Sequence, residues 1–163
     1  EDLEPGFYWQ YKTLLRMPGK VVKSLAMITA TDGVYRYKRR SSVIYNSQLN
    51  GSVTNTFNGV FFKQNGFLVM SDVGETLKDL TFHVFATRNV YDTSIKPGLH
   101  MTVGLSGSFG PKAARLFLKK IPNDESILAH ARKQGVVNKS DLPAGYAYIL
   151  DGDDIAGSGI IQL

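Results

Sequence analysis

The chain has 163 residues, a mass of 18.0 kDa and a formal net charge of +5, with 43% hydrophobic and 20% charged residues. This size fits one domain around a single core, and the composition excludes a disordered chain. No apolar run is long enough to span a bilayer, and the absence of cysteine excludes disulfides, thiolate nucleophiles and sulfur-ligated metals. A cysteine-free chain fits a reducing compartment, so we expect a cytoplasmic protein with no membrane partner.

Alternation of apolar and polar residues with a period of two predicts antiparallel strands from the start of the chain. The first three strands are predicted at 7–12, 21–30 and 34–42. Asp32 and Gly33 favour a two-residue hairpin turn between the second and third, because both tolerate positive φ. The third strand has three cations on one face and two tyrosines on the other: Arg36, Lys38 and Arg40 against Tyr35 and Tyr37.

The same alternation continues through the middle of the chain and predicts five further strands. Asn65 and Gly66 predict a second tight hairpin, between the fourth strand and the fifth. Short connections without a long helix are typical of an up-and-down meander. The five strands are expected at 54–63, 67–71, 80–89, 99–106 and 113–120.

After residue 121 the pattern changes and predicts one or two short C-terminal helices. Asn123 or Asp124 can cap the first, which Gly135 ends, and Pro143 can begin a second that runs to Tyr148. Residues 157–163 fit an extended segment equally well. We therefore predict a mainly β, antiparallel up-and-down barrel of about eight strands, as a single domain over 1–163. The barrel occupies about 6–121, and the helical segment and tail occupy about 122–163.

A barrel of eight strands has an interior that side chains fill or that holds one small ligand. Hydroxyl and imidazole groups among aromatic rings can orient such a ligand. Thr81 and Thr87 fit this description, as do the candidates named at the end of this paragraph. Exposure of these polar side chains to solvent would explain the same alternation of polar and apolar residues. Trp9 fits a core plug as well as a pocket wall. The ligand-pocket candidates are Trp9, Tyr35, Tyr37, His83, Phe85, His100 and Thr102.

The cations of the first half of the chain form a candidate basic surface. Lys23, Arg36, Lys38 and Arg40 are able to contact phosphates, although the tyrosines of the third strand point the other way, unlike the interleaved rings of single-strand binders. A solvated outer face explains the same residues. A homodimer contact with the acidic tail, at 151–154, is a further alternative.

No motif predicts catalysis, a cofactor or a metal. His83, His100 and His130 would need two strands and a helix to converge, and no carboxylate accompanies them. Ser106 lies in an incomplete G-x-S-x-G pattern, and the glycine-rich stretch 104–112 lacks the order of a phosphate-binding loop. Residues 151–154 fail the calcium-loop pattern. We expect a protein that is not an enzyme.

Three segments resemble the β-rich C-terminal domain that follows a helix-turn-helix in some bacterial transcriptional regulators. They are Gly6-Phe7-Tyr8-Trp9-Gln10-Tyr11, the strand 21–28, and the hairpin through Gly33 into 35–39. The resemblance implies a regulatory or effector-sensing domain that binds a small-molecule effector, with DNA contacted only through an attached domain. This sequence contains no helix-turn-helix.

A looser likeness is to the lipocalin-type calycin barrels, which open with Gly-x-Trp on the first strand. Gly6 and Trp9 are one residue too far apart for that motif. The likeness supports the barrel more than any ligand. The alternative functions are therefore a free-standing carrier of a small apolar ligand and a basic nucleic-acid-binding barrel.

Overall fold

The computed structural model describes residues 3–14, 17–46, 51–76, 79–87, 92–103, 112–123 and 125–151. Eight strands come first in the chain and form the barrel. A short helix, a ninth strand, a 3₁₀ turn at Lys139–Asp141 and a second helix follow. The elements are β1 Gly6–Thr13, β2 Lys20–Thr31, β3 Val34–Asn46, β4 Gly51–Gln64, β5 Phe67–Gly74, β6 Leu80–Ala86, β7 Ile95–Val103, β8 Lys112–Lys120, α1 Ile127–Ala131, β9 Gly135–Asn138 and α2 Ala144–Asp151.

Every strand from β1 to β8 is antiparallel to its neighbour in sequence, and β1 also pairs with β8. This last pairing closes the sheet into a barrel, which removes the exposed edges of an open sheet. The predicted mainly β barrel of eight strands with two short C-terminal helices is confirmed. β9 was not predicted; it adds a ninth strand on β2.

The two predicted hairpin turns form as expected from their residue types. Asp32 has a φ of 51° and Gly33 a φ of 75°, while Asn65 and Gly66 have values of 51° and 82°. Two successive left-handed residues define the turn whose twist matches that of paired strands. These turns fix the registers of β2 with β3 and of β4 with β5.

Side chains alternate between the barrel interior, which we call the lumen, and the outer surface. One half of the lumen is apolar. Tyr35 packs against Phe61 in this half, with the two rings tilted by 30° and their centroids 4.8 Å apart. The buried members of this apolar layer are Leu3, Tyr8, Ala26, Ile28, Tyr37, Phe61, Leu68, Met70, Phe85, Leu116 and Leu118.

A second core lies outside the barrel, where the C-terminal segment packs over β1, β2 and β8. Tyr11 stacks on Phe117 at 4.7 Å, and Tyr146 of α2 packs edge-on against both rings. Ile149 and Leu150 of α2 are buried in the same cluster. The C-terminal segment therefore covers one side of the barrel.

One edge of β2 pairs with β1, and its other edge pairs with two strands in turn. Its first residues, Lys20–Lys23, pair with β9, whereas residues 25–31 pair with β3. β9 thus lies beside the part of β2 with which β3 does not pair. Within the described ranges no helix has the length and hydropathy needed to cross a membrane.

Candidate ligand site inside the barrel

The half of the lumen opposite the apolar layer contains polar and charged side chains that are buried or, for Lys12 and Thr102, half-buried. They come from seven of the eight barrel strands, because each lies at an inward position of its strand. Buried polar groups are stable only where they find partners. We call this set the polar layer: Gln10, Lys12, Ser24, Arg39, Ser41, Asn55, Asp72, Thr81, His83, His100 and Thr102.

Arg39 and Asp72 form a buried ion pair at the centre of the polar layer. Arg39 Nη2 lies 3.5 Å from Asp72 Oδ2, and both side chains are almost fully buried. The guanidinium also lies 3.7 Å above the ring of Phe57. Although burial raises the pKa of Asp72, the hydrogen bond from His83 and the charge of Arg39 outweigh it and lower that pKa. Asp72 is therefore ionised at neutral pH.

His83 connects the ion pair to the rest of the layer. Its Nε2 lies 3.3 Å from Asp72 Oδ2, and its Nδ1 lies 3.3 Å from Gln10 Nε2. The hydroxyl of Thr81 contacts both the carboxylate and the imidazole. Burial lowers the pKa of His83, against the opposing effect of Asp72. The imidazole is therefore neutral at pH 7.

His100 and Lys12 extend the network toward one end of the barrel. His100 Nδ1 lies 3.4 Å from His83 Nδ1, and His100 Nε2 lies 3.3 Å from Lys12 Nζ. Thr102 also contacts His100 Nε2. Burial, together with the positive charge of Arg39, lowers the pKa of Lys12 to about 7. Burial and the positive charge of Lys12 also lower the pKa of His100, which is neutral at pH 7.

These protonation states assign a direction to each hydrogen bond in the chain. Ionised Asp72 only accepts, so His83 Nε2 must donate to it. Neutral His83 then has an unprotonated Nδ1, whose single lone pair accepts from both the Gln10 amide and His100 Nδ1. His100 Nε2 is consequently an acceptor for Lys12. The four side chains therefore form one hydrogen-bond chain in which each donates to the next, from Lys12 through His100 and His83 to Asp72.

Three polar atoms of the lumen wall have no hydrogen-bond partner within the described part of the chain. They are the Tyr37 hydroxyl, Arg39 Nε and Asn55 Nδ2. Burial raises the pKa of Tyr37 and outweighs the opposing effects of the neighbouring Arg39 and Gln10 side chains, so its hydroxyl remains protonated and able to donate. All three atoms are therefore unused donors in the same interior.

The structure brings most of the predicted pocket residues together in the lumen. Tyr35, Tyr37 and Phe85 belong to the apolar layer, and His83, His100 and Thr102 belong to the polar layer. His83 and His100 are directly opposite each other on β6 and β7. Thr81 is also in the polar layer, whereas Thr87 lies at the other end and donates to the Gly66 carbonyl.

Trp9 is the exception, and its assignment to the pocket is wrong. It lies on the outer side of β1, in the core beneath the C-terminal segment, because its neighbours Tyr8 and Gln10 take the inward positions. Its ring packs edge-on against His130 of α1 at 5.4 Å. His130 is therefore outside the barrel, away from His83 and His100, and pairs with Glu125.

The candidate basic surface is divided by the structure. Arg36, Lys38 and Arg40 form an exposed row on the outer side of β3. Lys23 does not extend this row, because its ammonium lies 4.0 Å above the ring of Trp9 and is half-buried. Asp151 of the acidic tail pairs with Lys139. Ser106, the stretch 104–111 and the rest of the tail lie outside the described residues.

Sequence reasoning missed Gln10, Lys12, Arg39 and Asp72 as site residues. A signal for Arg39 was present, since it continues the inward alternation of Tyr35 and Tyr37 on the predicted strand. Asp72 similarly follows Leu68 and Met70 at the inward positions of β5. In both strands, a charged residue at the position where the alternation predicts a buried side chain indicated a polar site inside the barrel. Among the described residues no group of three or more His, Asp or Glu side chains forms a metal site.

The fold and its interior define a closed antiparallel β-barrel with a lumen that is half apolar and half polar. No protein-family model matches the chain, and comparisons with curated proteins and with solved structures found no significant match. The likeness to the regulator domains therefore depends on the sequence segments alone.

Proposed function

We propose that this protein is a small-molecule binding module, whose barrel receives a ligand with an apolar body and a head group that carries acceptor oxygens. The observation that carries this proposal is the set of three unused donors in the lumen, Tyr37 Oη, Arg39 Nε and Asn55 Nδ2. A buried donor without a partner costs about 1–3 kcal/mol. Carbonyl or carboxylate oxygens of a bound ligand would satisfy these donors.

The division of the lumen supports an amphiphilic ligand. Tyr37 belongs to the apolar layer and its ring centroid lies 6.0 Å from that of His83 in the polar layer, so its hydroxyl marks the boundary between the two halves. A head group placed at this boundary has donors on one side and the rings of Tyr35 and Phe61 on the other. Ligand sites in proteins commonly combine apolar walls with a few convergent polar groups.

The resemblance to regulator domains supports an effector-sensing role, in which the ligand shifts a conformation that an attached DNA-binding domain reports. A free-standing carrier is the alternative, since the same lumen serves both. The exposed row of Arg36, Lys38 and Arg40 supports nucleic-acid contact less, because the tyrosines of β3 point into the barrel. The absence of catalysis and a cytoplasmic location stay predictions from the sequence.

The experiment has two parts. Native mass spectrometry of the full chain, followed by denaturation, detects a ligand retained through purification. Isothermal titration with decanoate, which has an apolar chain and a carboxylate, then measures binding to the chain after any such ligand has been removed. We expect saturable binding that Tyr37→Phe weakens about fivefold, equivalent to about 1 kcal/mol. Tyr146→Phe, at a tyrosine outside the barrel, is the matched control and should bind as the wild type does.

Tyr37→Phe also separates a ligand contact from a structural role. Removing an unpaired buried hydroxyl from the free protein should leave its unfolding free energy unchanged or higher. Weaker binding without lower stability therefore supports the proposal. No retained ligand together with no decanoate binding would overturn it.

A further inference from the structure

Lys12 differs from Lys96, which also lies at an inward position of its strand, in how its amine is held. Lys96 Nζ donates to the backbone carbonyls of Thr87 and Thr93, each at 2.9 Å. Oxygen acceptors of this kind stabilise the charged ammonium form. Lys12 Nζ instead lies 3.3 Å from Nε2 of His100, a neutral ring. Within the described residues no carboxylate forms an ion pair with Lys12, so it lacks the acceptors that keep Lys96 charged.

The surroundings of Lys12 favour the unprotonated amine. Burial and the positive charge of Arg39 lower its pKa to about 7, and the charges of Asp72 and Asp79 do not offset them. A substantial fraction of the amine is therefore unprotonated at neutral pH. Such an amine has a lone pair that can attack a carbonyl carbon, and desolvation and a neighbouring cation are established means of activating a lysine in this way.

His100 holds the amine without using its lone pair. Because Nε2 of His100 is an acceptor, Lys12 donates one N–H to it. The Thr102 hydroxyl contacts the same nitrogen and can replace the amine as its donor. The hydrogen bonds from His100 through His83 to Asp72 therefore stay in place when the amine of Lys12 loses its hydrogens.

The unused donors of the lumen suit a carboxylate in the same interior as this amine. Arg39, whose charge acts on Lys12, has an unpaired Nε, and Asn55 Nδ2 and the Tyr37 hydroxyl are unpaired as well. A carboxylate has two oxygens that accept from such donors. An oxo group on the adjacent carbon keeps both reacting parts of the ligand within one short head group. The combination of donors and amine therefore matches a 2-oxo acid.

We propose that Lys12 captures a 2-oxo acid with an apolar tail as a reversible imine, a step that rests on the ligand-binding function proposed above. The Lys12 nitrogen forms a bond to the oxo carbon, and the carbon–oxygen double bond breaks. Both hydrogens of the amine leave with that oxygen as one molecule of water, so no oxidant, reductant or co-reactant is consumed. Addition of water to the imine reverses the step and releases the ligand.

The product of this step fits the interior better than an ammonium does. An imine nitrogen without a hydrogen adds no positive charge near Arg39, which disfavours the charged form of Lys12. The carboxylate of the ligand offsets the guanidinium. Tyr35 and Phe61, whose rings pack together in the apolar layer, supply a surface for the tail.

Reductive trapping of the full chain with 2-oxodecanoate and sodium cyanoborohydride, followed by intact-mass and peptide mass spectrometry, tests this proposal. Cyanoborohydride reduces the imine to a stable secondary amine, so the protein gains the mass of the ligand less one oxygen atom. We expect one adduct per chain, located on Lys12. Decanoate has the same number of carbons and a carboxylate but no oxo group. It should give no adduct and should slow the trapping of 2-oxodecanoate by competition.

Two lysine variants and one internal comparison control the experiment. Lys12→Met should lose the adduct, whereas Lys38→Met, at an exposed lysine, should retain it. Lys96 should remain unlabelled in the wild type, because two carbonyls hold its ammonium. Circular dichroism establishes that the variants are folded, and peptide mapping of the wild type locates the adduct without any substitution.

The outcomes separate this step from ligand binding as such. Decanoate binding without any adduct from 2-oxodecanoate would overturn the proposal and leave the ligand-binding function standing. Adducts spread over exposed lysines, with Lys12 unlabelled, would overturn it equally, as would an undiminished adduct in folded Lys12→Met. If the chain retains no ligand, does not bind decanoate and forms no adduct, both the covalent step and the ligand-binding function fail.

Discussion

His83 and His100 face each other across β6 and β7, with their Nδ1 atoms 3.4 Å apart. Two imidazoles in this arrangement share one proton between the facing nitrogens, and both rings must remain neutral overall. Burial enforces this state, since it lowers the pKa of each histidine. The pair therefore makes the polar layer sensitive to acid.

We expect the unfolding free energy to fall as the pH drops below 6.5. The histidines ionise near pH 6.5 in the unfolded chain but only at lower pH in the folded barrel, so the unfolded state binds more protons in this window. Urea unfolding between pH 5 and 8 measures the effect. His100→Gln should make the dependence shallower. Equal slopes in the wild type and in this variant would contradict the assignment of a neutral His100.

Lys12 should produce a second dependence, at alkaline pH. Its pKa is about 7 in the folded chain and 10.5 in the unfolded chain, so the unfolded state binds more protons between these values. Stability should rise with pH from 7 to 9.5, by at most about 1.4 kcal/mol per pH unit. Lys12→Met should abolish the rise, and Lys38→Met, at an exposed lysine, should keep it. A wild-type profile that is flat over this range would be inconsistent with a buried amine.

The buried ion pair should show strong coupling in a double-mutant cycle. Arg39→Met leaves Asp72 without its guanidinium partner and should destabilise the barrel by about 3 kcal/mol. Arg39→Met combined with Asp72→Asn removes both charges and should recover part of that loss. Urea unfolding of the two single variants and the double variant measures the coupling energy. Additive effects would show that the pair does not interact.

Gly59 of β4 lies opposite Tyr37 of β3 and allows β5 to approach closely. A β-carbon at Gly59 would contact the Ser71 carbonyl oxygen and would lie 2.7 Å from Asp72 Cβ. Gly59→Ala should therefore cost about 1–3 kcal/mol through overpacking. Gly145→Ala is the control, since the space around this α2 residue is open. It should stabilise the helix by about 0.5–1 kcal/mol, and similar effects of the two substitutions would contradict the packing.

The barrel was predictable because its determinants are local. Alternation and the turns at Asp32-Gly33 and Asn65-Gly66 specify strand pairs through neighbouring residues alone. The start of β7 was missed by four residues, since Pro97 and Gly98 are typical of a loop. In the structure Gly98 is an inward strand residue whose missing β-carbon leaves room for the Phe85 ring. That requirement comes from a neighbouring strand and is not visible in the local sequence.

The site was less predictable because its residues are distant in sequence. His83 and His100 were both among the pocket residues predicted from the sequence, because each lies on a strand with alternating polar and apolar positions. Lys12 and His83 are brought together only by closure of β1 against β8, which sequence periodicity does not specify. Trp9 was misplaced for the same reason, since a packed core on the outer side of β1 exists only once the C-terminal segment has folded over it.

The pairing of the earliest strands with the latest ones has a consequence for biosynthesis. The pairing of β1 with β8 cannot form until β8 has been synthesised. The pairing of the first residues of β2 likewise requires β9, which ends at residue 138. A ribosome must therefore release nearly the whole domain before either edge finds its partner. Chaperones would meet a nascent chain whose first two strands form an unprotected hairpin edge, and closure would be the late, slow step that high contact order imposes.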